Sequence, residues 1–400
     1  MIIIFNLYYI KMDQDTQNDK EETIPEMYIS SSETVKENIV SYTYYTISGT
    51  AFQDPLIRKH RDFDSLRTKL VERWPGVFIP GLPLKKQSAD INYEDLRKEM
   101  LNRFCLRISK FPFLFKSDEM ICFMENVRDV SKALASFEPL SYEALLKRYS
   151  ITFTNYDDNF DVLQGKANQT SFLQKLKETV PKLKSFRELV KYSRDKFQNE
   201  LSDESDIIDM FSLYEKDCLE SICDSDKLLF YNMKNNVLSD NIADFKTNSM
   251  NPYDTLYVDL SEEIQDSEAM IEALNGLVNL QDTYDKLTKQ YGNLCSQISG
   301  MEAGKTNFMS MFKMFKGREQ SLQSLTDEKD KLEKDRHDLE QVIKIATFNL
   351  ENEIINFKSR SLDSYYKELS DLQERFEKNN KLANAVWENV LSHEAVQNCE

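Results

Sequence analysis

Eighty-three consecutive residues, Arg318 to Glu400, contain neither glycine nor proline. Nothing else in the chain limits its fold so tightly. Apolar side chains recur through this stretch at spacings dominated by three and four. They are Leu332, Leu339, Ile343, Ala346, Leu350, Ile354 and Phe357, then Tyr365, Leu369, Leu372, Phe376, Ala383, Val386 and Val390. That period predicts one amphipathic helix, on the order of 100 Å long at about 1.5 Å per residue. A stripe of such length cannot be buried against a small domain. It needs partner helices of like length, in its own chain and in a second one.

Two candidate partners precede it. One is expected to start near Thr170 and run past Phe197, with Pro181 as a kink or boundary. The other runs from about Leu256 to Ile298, despite Gly276 and Gly292. Residues 201–254 hold helical stretches broken by acidic Ser/Asp clusters and by Asn251-Pro252. Between the second and third long helices lies AGKTNFMSMFKMFKGR. It carries Lys305, Lys313, Lys316 and Arg318, no acidic residue, and the aromatics Phe308, Phe312 and Phe315. Aromatic rings at headgroup level beside lysines suit contact with anionic lipid. The same apolar residues could instead pack back as a cap on the helix ends.

The amino-terminal part reads differently. Residues 27–57 are rich in β-formers, punctuated by Gly49 and Asp54-Pro55, and predict a small antiparallel sheet of two or three strands. From Asp62 to Trp74, Phe63, Leu66, Leu70 and Val71 share one helical face, and Pro75-Gly76 ends that helix. Pro80 and Pro83 hold the run Ile79 to Leu84 extended. A second helix is expected from Tyr93 to Lys110 and a short third one from Met120 to Val127. A linker follows, roughly Val130 to Asp161, with a candidate amphipathic segment at Tyr142 to Tyr149.

Charge separates the same regions. The net charge of −17 argues against nucleic acid as a partner. Residues 34–130, however, hold 16 Lys/Arg against 13 Asp/Glu, whereas residues 131–400 hold 33 against 48. The least acidic part is the part suited to anionic lipid. The six cysteines show no CxxC pair, which fits reduced thiols in a cytosolic protein. No P-loop, G-x-S-x-G or H-E-x-x-H is present, and His60, His337 and His393 lack metal-site spacing. The expectation is a protein that is not an enzyme and needs no cofactor or metal. The opening MIIIFNLYYI is too short to span a bilayer. Together with the acidic tail behind it, it reads as a disordered extension or an upstream start, with a peripheral anchor as the alternative.

One stretch joins these observations. Residues Arg58 to Lys86 read RKHRDFDSLRTKLVERWPGVFIPGLPLKK, and LRKEMLNRF and FPFLFKSDEMICFME follow. This succession of basic cluster, helix, Pro-rich run, second basic helix and aromatic-Pro ending resembles a PX domain over about residues 27–128. The segment from Glu353, EIINFKSRSLDSYYKELSDLQERFEKNNKLANAVWENVL, resembles the last helix of the BAR domain in PX-BAR sorting nexins.

The resemblance implies an α+β PX domain at 27–130, a linker at 131–168 and an all-α elongated three-helix BAR domain at 169–400. Residues 1–26 would be a disordered extension. It also implies a protein that is cytoplasmic and peripheral on endosomal membranes. Such a protein binds a phosphoinositide, expected to be phosphatidylinositol 3-phosphate, and senses or shapes curvature as a homo- or heterodimer with another PX-BAR chain. The lipid-binding places fall on Lys59 and His60, flanked by Arg58, and on Lys85 and Arg97. Lys344, Lys358, Arg360 and Lys367 are candidates for a basic BAR face. Three positions depart from the pattern. Lys59 stands where an arginine fork is usual, His60 stands for the aromatic floor, and Gly81 stands for a second proline. A different class remains open: a PX-coiled-coil scaffold acting mainly through protein partners.

Overall fold

Two long strands and a short one precede the helices of the computed structural model. It describes residues 26–37, 40–50, 54–83, 93–125, 129–157, 159–222, 228–230, 237–302 and 315–392. They divide into two compact units, one from Met1–Glu72 and Lys86–Pro139, the other from Arg73–Lys85 and Leu140–Glu400.

In the first unit, β1 (Met27–Glu37), β2 (Val40–Gly49) and β3 (Leu56–Lys59) form an antiparallel sheet in that order. The period of two sends Tyr45 and Ile47 inward, both fully buried. The register shifts between Ile29 and Ser31, and the Ile29 N–H donates to Asn102 Oδ1 at 2.9 Å. Helix α1 (His60–Arg73) starts directly from β3. It buries Phe63, Leu66 and Leu70, three and four residues apart. The Phe63 ring meets Tyr45, Phe104 and Phe123 at centroid distances of 6.2, 6.3 and 5.2 Å. Phe104 comes from α2 (Tyr93–Ser109). Two short helices follow, α3 (Pro112–Phe115) and α4 (Asp118–Met124). The Ser117 side chain caps α4 by accepting from the Met120 N–H. Helix α5 (Val130–Ala135) is capped in the same way by Asp129.

The second unit opens with residues 73–83 and α6 (Tyr142–Thr152). It continues with three long helices, α7 (Val162–Tyr214), α9 (Tyr253–Glu302) and α10 (Phe315–Ser392). Helix α7 starts eight residues before Thr170, where Asp161 accepts from the N–H groups of Leu163 and Gln164. It runs through Pro181 without a break. Five π-helical residues, Glu215–Leu219, extend α7, and a short helix, α8 (Val237–Asn248), lies between the first two long ones. Leu238, Ile242 and Phe245 of α8 pack with Ile208 of α7 and Val386 of α10. In α10 the expected stripe divides. Leu339, Ile343, Ala346, Leu350, Ile354 and Phe357 are buried within the chain. Tyr365 and Leu369 of the same stripe are about half exposed, and Leu369 shares one face with Ile355, Leu362 and Tyr366, the four being 47% to 62% exposed. No described helix is long and apolar enough to cross a membrane.

Residues 74–83 lie within this helical unit. The Trp74 ring stacks on Tyr149 of α6, with the Arg148 guanidinium 4.7 Å from the indole centroid. The Tyr149 hydroxyl donates to the Pro75 carbonyl. Val77, Phe78 and Ile79 are buried, and Gly76 takes a φ of 78°, the left-handed conformation that favours glycine.

Candidate functional site

Strand register decides what each residue of the basic cluster does. Arg58 pairs with Tyr45 across the sheet, so it faces the core, and Lys59 pairs with Tyr44, so it faces away. Arg58 is accordingly buried. Its Nε and one terminal nitrogen donate to the Phe123 carbonyl at 3.0 and 2.6 Å. It also donates to the Glu125 and Ile57 carbonyls at 2.6 and 2.9 Å. Burial lowers its pKa from the ordinary guanidinium value, while Asp62 and Cys122 oppose that. Arg58 therefore closes the end of α4 onto β3. Replacing it with leucine leaves buried carbonyls without their donor and should cost about 2 kcal/mol, read by urea unfolding of the full chain.

Lys59 occupies the junction of β3 and α1. Its backbone N–H donates to Asp62 Oδ2 at 2.9 Å, half of a capping box. The other Asp62 oxygen accepts from the Ser131 hydroxyl, which ties the start of α1 to α5. The Lys59 side chain is half-buried. Its ammonium lies 4.1 Å from the Tyr42 ring centroid and 4.6 Å from that of Tyr44. His60 follows at once, with Nδ1 3.3 Å from Asp64 Oδ2 one turn along the helix. Arg97 is half-buried on α2.

The structure thus brings Lys59 and His60 together at one helix start and turns Arg58 inward. Lys85 lies outside the described residues. So do Lys305, Phe308, Phe312 and Lys313, while Phe315, Lys316 and Arg318 open α10. On α10, Lys344 pairs with Glu340 at 2.9 Å and Arg360 with Glu353 at 2.7 Å. The Lys358 ammonium sits 4.9 Å from the Phe172 centroid, and Lys367 is exposed. At about 100° per residue, Lys344 and Lys358 fall on one side of the helix and Arg360 and Lys367 on the other. Two pairs, rather than one row of four, could face a membrane.

The tyrosine pair was missed from the sequence alone. Its signal was the alternation: Tyr42 and Tyr44 share a strand face, and a hairpin register pairing Tyr44 with Lys59 puts all three together. Among the described residues, no cluster of three or more His, Cys, Asp or Glu could hold a metal ion.

The PX domain family model matches residues 50–126. Sorting nexin 1 of Arabidopsis thaliana is 29% identical over 114 residues, 25% of this chain and 28% of that protein. Sorting nexin MVP1 of Kluyveromyces lactis is 33% identical over 79 residues, 19% of this chain and 15% of its own length. Both alignments therefore cover well under two thirds of the relatives. The cryo-EM structure of the SNX-BAR Mvp1 tetramer superposes with a TM-score of 0.54 at 14% identity, covering 92% of this chain and all of that one. At that identity the likeness is one of fold. Residues 50–126 thus match the PX domain, and the chain as a whole shares the fold of that SNX-BAR structure.

Proposed function

We propose that this protein acts in membrane traffic by binding a phosphoinositide, phosphatidylinositol 3-phosphate in the first instance, at the start of α1. It associates peripherally with the cytoplasmic face of endosomes, works by binding rather than catalysis, and senses or shapes curvature as a dimer. The observation that carries the reading is the match of residues 50–126 to the PX domain, with Lys59 and His60 at the β3–α1 junction. A multiply charged headgroup needs cations from more than one element; Lys59, Arg97 and Lys85 supply them in this reading, with His60 in place of the aromatic floor.

A second copy of the chain is the proposed partner. The exposed face of Ile355, Leu362, Tyr366 and Leu369 supports this. So does the relative of like fold, whose structure is a tetramer. Paired chains add avidity to contacts that are individually weak. Lys305, Phe308, Phe312, Lys313, Phe315, Lys316 and Arg318 are proposed as a further membrane contact.

Co-sedimentation of the full chain with vesicles tests the lipid reading. Phosphatidylcholine vesicles with phosphatidylinositol 3-phosphate should retain the protein, and vesicles without it should not. Lys59→Ala and Arg97→Ala should each weaken retention by about tenfold or more, the worth of one charge-assisted hydrogen bond. Equal retention on all anionic vesicles would move the contact to the helical unit. No retention would favour a scaffold working through protein partners.

A further inference from the structure

A lysine is a poor substitute for a fork-shaped guanidinium. Its ammonium is a single point charge on a flexible four-carbon stem, strongly hydrated and free to rotate. Binding a phosphate with it means stripping water and freezing the stem. Here the stem is not left to wander. Tyr44 stands directly opposite Lys59 in the β2–β3 register, and Tyr42 stands two residues along on the same face. The Lys59 ammonium lies within 5 Å of both ring centroids, at 4.1 and 4.6 Å. From the other side, its backbone is pinned by Asp62. Tyr42 is 37% exposed, so the pair stands at the edge of the unit rather than in its core.

We propose that Tyr42 and Tyr44 are positioning residues for phosphomonoester recognition. Their rings hold the Lys59 ammonium partly desolvated and aimed outward at the start of α1. Two ring faces attract the cation through their quadrupoles. An ammonium carries three N–H groups, so contact with ring faces and a bond to a phosphate oxygen do not exclude one another. The rings therefore supply the preorganisation that an arginine fork carries in its own planar geometry. This inference rests on the phosphoinositide reading above. The same chemistry would accept the phosphomonoester of a lipid headgroup or of a soluble inositol phosphate.

The test uses the full chain and four variants: Tyr42→Leu/Tyr44→Leu, Tyr42→Phe/Tyr44→Phe, Lys59→Ala, and Lys59→Ala combined with the leucine pair. Binding is read on phosphatidylcholine vesicles containing phosphatidylinositol 3-phosphate and, by calorimetry, with soluble inositol 1,3-bisphosphate. Loss in both arms assigns the effect to the phosphomonoester; loss on vesicles alone overturns it and assigns the rings to the membrane surface. The leucine pair should bind about five- to tenfold more weakly at an unchanged melting temperature, as expected for the loss of ring–ammonium contacts. The phenylalanine pair, which keeps the rings, should bind like wild type. In the Lys59→Ala background the leucine pair should cost nothing further, because the coupling runs through that ammonium. Unchanged binding by the leucine pair overturns the inference. So does tighter binding, which would mean that the rings screen Lys59, and so does a loss that persists without Lys59.

A second readout needs no lipid. Acylation of Lys59 by an amine-reactive ester, followed by mass spectrometry, should be faster in the leucine pair than in wild type. If wild-type protein binds neither probe, the phosphoinositide reading has failed, and this reactivity still decides whether the rings hold the lysine.

Discussion

Leu362→Glu should abolish the self-association proposed for this chain. Leu362 is 54% exposed in the single chain, on the same α10 face as Ile355, Tyr366 and Leu369. The glutamate is therefore tolerated by the isolated fold, and helix content and melting of the monomer should change little. In a symmetric dimer the same substitution occurs twice. At ~2 kcal/mol for each lost core contact of an interface, counted twice, the dissociation constant rises by roughly a thousandfold. Sedimentation velocity across a dilution series reads this directly. Leu362→Met, which keeps volume and apolarity, should associate like wild type. If Leu362→Glu sediments as wild type does, this face is not where two copies meet. If wild-type protein is monomeric at every concentration, the proposed partner is something other than a second copy.

The division of that helix also shows how far a sequence can be read. A spacing of three and four identifies an amphipathic helix but not which turns its own chain covers. Ile343, Leu350 and Phe357 are buried, and Tyr365 and Leu369, members of the same predicted stripe, are about half exposed. Helix α1 was legible because Phe63, Leu66 and Leu70 keep a spacing of three and four and Pro75 stops the helix. Helix α8 was not legible. Its buried residues Leu238, Ile242 and Phe245 keep the right period, but acidic and Ser/Asn residues surround them, and their partner Val386 lies far along the chain. Of the two readings of Pro181, kink or boundary, the boundary is overturned, because α7 continues through it. The buried neighbours Leu176 and Val180 show what packing holds that turn in place. The basic cluster was legible as a candidate site, whereas the division of labour within it was not. Adjacent residues of a strand face opposite ways, and only the register with Tyr44 and Tyr45 turned Arg58 inward and Lys59 outward.

Two glycines of α9 should respond to substitution with opposite signs. A Cβ added at Gly292 meets nothing within 4 Å. Gly292→Ala should therefore behave as an open helix site does and stabilise the protein by about 0.5–1 kcal/mol. A Cβ added at Gly276 would sit 2.8 Å from the backbone nitrogen of Gly76, and backbone cannot swing aside as a side-chain tip can. Gly76 is itself fixed by its positive φ and by the buried run Val77 to Ile79. Gly276→Val, which adds bulk and a β-branch, should lower stability by about 3 kcal/mol or more, at the upper end of overpacking costs. The same logic reaches Gly81, where the resemblance leads one to expect a proline. A Cβ there would meet the Gln265 backbone oxygen at 2.7 Å and its carbonyl carbon at 2.8 Å. The departure from the pattern is thus a close approach between an extended segment and a long helix. Thermal unfolding of the full chain and the two α9 variants checks the pair. A Gly276→Val melting temperature equal to or above that of wild type would mean that residues 74–83 are not seated against α9 in solution. In that case Gly81 would need another explanation.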